Sequence, residues 1–109
     1  MIVARRELRL DQGVSKWAVL VEISAPELRN GAWICDFSIG WPSRADKSSA
    51  AGVDSAQALY FAFQKVAACL YASPYHKAGQ LKWEQSDGGY GFVLPFSGRD
   101  LAIGRDRKL

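Results

Sequence analysis

The stretch from Gly52 to Tyr75, GVDSAQALYFAFQKVAACLYASPY, constrains the fold more than any other part of the chain. Its apolar residues recur with helical spacing, whereas every other periodic segment alternates as a strand does. Asp54 stands where an N-cap belongs, and Gln57 three residues later can reach back as in a capping box. Ser73-Pro74 closes the segment, because proline lacks the amide proton and pushes the residue before it out of the helical region. A helix from about Ser55 to Ala72 is therefore predicted. Helical spacing puts Ala56, Leu59, Tyr60, Phe63, Val66, Ala67 and Leu70 on one face, with Tyr71 on its flank. Gln57, Gln64, Lys65 and Ala68 fall opposite, and Phe61 lies near the middle of that polar face.

With 109 residues the chain is long enough for one core and too short for two. Nearly half of it is apolar, which excludes a disordered chain. The net charge of +3 sits at the ends: residues 1–10 carry +2, residues 99–109 carry +2, and the remainder sums to −1. A nucleic-acid binder concentrates many more basic residues on one groove or helix, so nucleic acid is not an expected partner. Charges interrupt IVARRELRL at once, and no run approaches the roughly 20 apolar residues of a membrane span. A cytoplasmic protein without membrane contact is the expectation. Cys35 and Cys69, with His76 as the only other soft ligand, cannot close a zinc site. They read as buried free thiols, a disulfide between them being disfavoured in the cytosol, and no cofactor is expected.

Residues 2–10 alternate, with Ile2, Ala4, Leu8 and Leu10 on one side and Arg5, Glu7 and Arg9 on the other. Arg6 falls on the apolar side, where it either lies at the sheet margin with its head in water or pairs with a carboxylate; the margin is the simpler of the two. Asp11-Gln12-Gly13 supplies a turn. A second strand over Lys16 to Ser24 puts Trp17, Val19, Val21 and Ile23 on one face. Asn30-Gly31 reverses the chain into a third strand, Ala32 to Gly40, with Trp33, Cys35, Phe37 and Ile39 towards the core. Ser43 to Ala51 is read as a short edge strand delivering the chain to the helix. Beyond the helix, Leu81 to Glu84, a turn at Ser86-Asp87-Gly88-Gly89, and Tyr90, Phe92 and Leu94 read as a hairpin. Residues 97–109 are expected as a basic tail that is poorly ordered or orders on a partner, beyond a domain spanning 1–96. One helix among hairpin-joined strands cannot supply the crossovers of a parallel sheet. The expected fold is α+β: a mostly antiparallel sheet of five to six strands with one long helix on one face.

Three features could carry chemistry. His76 could act as a base with Ser73 or Glu84 nearby, but Ser-Pro-Tyr-His-Lys reads more simply as a loop that ends the helix. Gly88, Gly89 and Gly91 lack the following helix that a phosphate loop needs. Trp83 beside Lys82, with Tyr90, could stack bases on a sheet face, yet both aromatics read more simply as core members of their strands.

The block GVDSAQAL, followed by LYASPYHKAGQLKWE and GGYGF, resembles a family of small uncharacterised bacterial proteins in which a V-D-x-x-Q-A-L helix leads into L-Y-x-S-P. The resemblance covers roughly Gly52 to Phe92 and implies a single-domain bacterial cytosolic protein with no known catalytic residues. The helix also resembles that of some toxin-immunity proteins. The expected function is a non-enzymatic protein-binding module, of immunity or anti-phage type, that engages another protein or a second copy of itself through Phe61, Gln57, Gln64 and Lys65. The alternative is a small enzyme or ligand-binding protein with a cleft near His76 and Glu84.

Overall fold

The computed structural model describes residues 1–84 and 88–109, so Gln85 and the Ser86-Asp87 part of the expected hairpin turn lie outside the described residues. Among the described residues six strands form one antiparallel sheet: β1 (Ile2–Gln12), β2 (Ser15–Ser24), β3 (Glu27–Arg29), β4 (Ala32–Gly40), β5 (Ala45–Gly52) and β6 (Leu81–Lys82). Helix α1 (Ser55–Ala72) packs on one face and is followed by the single turn α2 (Pro74–Lys77). The α+β architecture is the expected one. β1 pairs with β2 on one side and with β6 on the other. β4 pairs with β5 along one edge, and along the other with β2 and β3, which Ala25-Pro26 separates. Asn30 and Gly31 take the left-handed conformation that the tight β3–β4 turn demands. The edge strand expected over 43–51 is β5.

Strand alternation puts Leu8 and Leu10 of β1, Val19, Val21 and Ile23 of β2, and Cys35, Phe37 and Ile39 of β4 into the core. Trp17 departs from expectation. It stands at the hairpin end of β2 opposite Leu10, outside the core cluster, and stays 46% exposed. Both cysteines are free; Cys35 is buried and Cys69 half-buried.

The helix begins as its sequence dictates. Asp54 Oδ1 accepts from the Gln57 amide at 2.8 Å, and Gln57 Oε1 accepts from the Val53 amide at 2.8 Å, one residue further back than in the usual capping box. Its buried face is rotated from the predicted one. Ala58, Ala62, Val66, Ala67, Leu70 and Tyr71 are buried, Leu59 and Phe63 are half-buried, and Ala56 and Tyr60 are exposed. The reason lies at Gly52, the last residue of β5, where an added Cβ would come within 2.4 Å of the Ala58 nitrogen. Backbone meets backbone there, so only alanines fit between the first half of α1 and the sheet. The large side chains turn to the flank.

The expected returning strand at Tyr90, Phe92 and Leu94 does not form, although all three side chains are buried. Gly91 takes φ +76° with the Trp83 ring directly over it, where an added Cβ would lie 2.4 Å from the ring. A left-handed residue breaks the extended run, and the segment crosses the core as irregular chain. Residues 97–109, expected as a tail that is poorly ordered or orders on a partner, lie mostly within two 3-10 segments, Phe96–Leu101 and Gly104–Lys108, with Ala102 and Asp106 buried. The cause is Asp106, which supplies hydrogen-bond acceptors to backbone that has no strand or helix partner.

Candidate functional site

Gln57, Phe61 and Lys65, spaced by four residues, form one ridge of α1, with Gln64 beside Phe61. Phe61 is 37% exposed and its ring lies 6.2 Å from that of the exposed Tyr60. Gln64 is half-buried, and the Gln57 carbonyl is held by the Val53 amide. Lys65 Nζ donates to the Ser49 carbonyl of β5 at 2.8 Å. This last contact ties the helix to β5, an edge strand that among the described residues pairs with β4 alone. Among the described residues, Lys65 supplies the one hydrogen bond to that edge. The ridge predicted from sequence thus lies beside an open strand edge.

His76 and Glu84 are not brought into a shared cleft. The His76 Nδ1 shares a short hydrogen bond with the Tyr90 hydroxyl, and its ring packs 4.6 Å from Tyr71. Burial, with a smaller contribution from the Lys77 charge, holds its pKa below the ordinary value. Glu84 points elsewhere, to Arg105 at 3.3 Å. Next to His76, Asp106 Oδ2 accepts from the Tyr71 hydroxyl at 2.7 Å and the Tyr90 amide at 2.8 Å, while Oδ1 accepts from the Gly91 amide at 2.7 Å. The Tyr71 oxygen in turn accepts from the Ile103 amide at 3.1 Å. Desolvation raises the pKa of both tyrosines, so their hydroxyls stay protonated, and that of Tyr71 donates to Asp106. These groups spend their hydrogen bonds on holding chain together. Tyr90 is core, as its strand pattern suggested, and Trp83 is half-buried.

Arg6 is half-buried, and among the described residues it makes no ion pair with a carboxylate. Its Nη1 donates to the carbonyls of Tyr90 and Gly91, both at 3.1 Å, and its guanidinium lies 4.0 Å from the Trp83 ring centre and 4.8 Å from that of Phe92. Burial lowers its pKa, and the Glu84 and Asp106 charges oppose that shift. Beside it a cleft of about 450 Å³ opens between α1 and the 91–93 segment. Sequence reading could not assemble this cleft, because its walls come from β1, α1 and two irregular segments far apart in the chain. A second cleft, of about 410 Å³, lies between Trp41 and the end of α1 and includes Cys69, whose thiol burial pushes towards the neutral, unreactive form.

A family model described as a domain of unknown function (DUF6968) matches residues 4–94. No curated protein and no solved structure matches the chain.

Proposed function

The chain belongs to the DUF6968 family of domains of unknown function, and we propose that it is a non-enzymatic binding module that captures another protein, or a second copy of itself, at the open edge of β5. The observation that carries this reading is the pairing of a strand edge, which has no strand partner among the described residues, with an exposed aromatic ridge on the helix beside it. An incoming strand would pair with the backbone groups that Lys47, Ser49 and Ala51 turn away from β4, displacing Lys65 from the Ser49 carbonyl, and Phe61, Gln57, Gln64 and Lys65 would read its side chains. The module acts in the bacterial cytoplasm, with neutralisation of a toxin or phage component as its concrete form. The resemblance to small bacterial proteins supports that setting, and no helix among the described residues is long and apolar enough to cross a membrane.

Two substitutions test the surface. Phe61→Ser removes the aromatic anchor and should leave monomer stability within about 0.5 kcal/mol. Ser49→Pro removes one outward N–H of an edge strand, a position where proline is tolerated. Each should weaken self-association in sedimentation, or the capture of a partner that the wild type retains from host lysate, by at least tenfold. Capture and sedimentation unchanged in both variants would refute the reading. So would a large stability loss in Phe61→Ser at concentrations where the wild type is monomeric, since Phe61 would then be core.

A further inference from the structure

The cleft beside Arg6 has the chemistry of a small-molecule site, and it is separate from the β5 edge. Its walls are the rings of Tyr60, Phe63 and Phe92 with the Val93 side chain, and its polar groups include the guanidinium groups of Arg6 and Arg99. Phe63 and Phe92 stand 6.0 Å apart and tilted, an arrangement that leaves ring faces and edges for a further aromatic ring. A separate, narrower space of about 100 Å³ shares Arg6, Phe63 and Phe92 with the cleft and is lined also by Ala4, Val21 and Ile23 of the sheet. The main cleft falls within the size range of ordinary ligand pockets.

The two cations differ in how they are held. Arg6 is fixed: two carbonyls grip Nη1, and the rings of Trp83 and Phe92 pack against the guanidinium. Among the described residues no buried side-chain nitrogen or oxygen lacks a partner, and Arg6 donates only through Nη1. Arg6 lines the cleft, and among the described residues its Nε and Nη2 make no hydrogen bond. Arg99 is exposed and tethered once, by Nε to the Leu94 carbonyl at 3.3 Å, with its charge 6.0 Å from the Phe96 ring. Glu84 and Asp106 lie near enough to act on the Arg6 charge, but neither lines the cleft, and among the described residues no Asp or Glu side chain does. Leu109 closes one side of the mouth.

We infer that this cleft binds an aromatic carboxylate, its ring between Tyr60, Phe63 and Phe92 and its carboxylate on Arg6 and Arg99. A guanidinium held at one nitrogen suits a carboxylate, because the orientation of its fork is settled before the ligand arrives. The apolar walls alone would take any greasy molecule of suitable size; the arginines select the anion.

The test compares two ligands that share a ring and a chain and differ in charge: 3-phenylpropionate and 3-phenylpropan-1-ol. Each is titrated into the full chain, with amide chemical shifts and calorimetry as readouts. The acid is expected to bind at least tenfold more tightly than the alcohol and to shift the amides of Tyr60, Phe63, Gly91, Phe92 and Val93. Arg99→Gln should reduce the preference for the acid to less than threefold, with amide shifts away from the cleft unchanged to show that the fold is kept. Arg6→Gln should remove acid binding, but Arg6 also holds the 90–91 backbone, so Arg99→Gln is the deciding variant. Equal affinities for acid and alcohol, an acid preference unchanged in Arg99→Gln, shifts centred elsewhere, or no saturable binding of the acid would each overturn the assignment. The outcome is independent of the β5 edge, because neither Phe61 nor Ser49 lines this cleft.

Discussion

One face of one sheet is covered in two different ways. Over β4 and β5 the cover is α1, whose backbone satisfies itself and whose buried contact with the sheet is apolar, down to the backbone of Ala58 against Gly52. Over β1 the cover includes irregular chain from Tyr90 onwards, and there side chains do what a helix does internally. Asp106 takes the amides of Tyr90 and Gly91, and Arg6 takes their carbonyls. Tyr71 takes the Ile103 amide, Arg99 the Leu94 carbonyl and Arg107 the Ala102 carbonyl. Buried irregular backbone needs such partners, because an unpaired amide or carbonyl there costs about as much as a lost hydrogen bond. The charges that made the last segment look like a solvated tail are in part the groups that fold it.

The largest effect should come from removing the centre of the irregular cover. Asp106→Ala leaves the Tyr90 and Gly91 amides and the Tyr71 hydroxyl without their acceptor. At roughly 1–3 kcal/mol for each stranded group, the expected loss is more than about 3 kcal/mol. Urea melts of the variant and wild type measure it. A loss below about 1 kcal/mol would mean that water replaces the carboxylate and that the irregular cover contributes little.

The helical cover should break by crowding instead. Ala62→Leu puts three further carbon atoms where α1 and the sheet leave no room, and should cost roughly 1–3 kcal/mol. Ala56→Leu, on the exposed side, should stay within about 0.5 kcal/mol. The opposite order in the same melts would restore the helical face that periodicity alone predicts.

The two covers also differ in how far they could be read from the residues. Asp54, Gln57 and Ser73-Pro74 act on backbone a few positions away, so the start and end of α1 were legible, as was the turn at Asn30-Gly31. The rotation of α1 was not, because a hydrophobicity pattern favours Tyr60 over Ala58 and knows nothing of the close approach at Gly52. In the C-terminal part the apolar residues Tyr90, Phe92 and Leu94 were correctly placed in the core, yet their alternation suggested a strand that Gly91 forbids. What orders residues 97–109 is a carboxylate bonded to a tyrosine 35 positions away, and no local rule encodes such a pair. For the surface the contrast repeats. The placement of Phe61 outside the core follows from one helical wheel, whereas the cleft needs Arg6, Phe63, Phe92 and Arg99 together and exists only once the chain has folded.

The smallest effect sits at the junction of the two covers, where His76 of α2 meets Tyr90 of the irregular segment. The buried face of α1 carries no group that titrates near neutral pH, so a slope of stability in that range should belong to this junction. Burial lowers the His76 pKa from 6.5, and the Lys77 charge lowers it further. The unfolded chain therefore takes up the proton first, and between the two pKa values it binds more protons than the folded chain does. Stability must then be fully present above about pH 6.5, and fall as the pH drops towards the lower, folded-state value. Urea midpoints of the wild type between about pH 5 and 8 should rise with pH up to that point and then level off. His76→Gln should melt without this rise, because its side chain does not titrate. If the rise persists unchanged in the variant, another group carries it, and the Tyr90–His76 contact does not couple the two covers to pH.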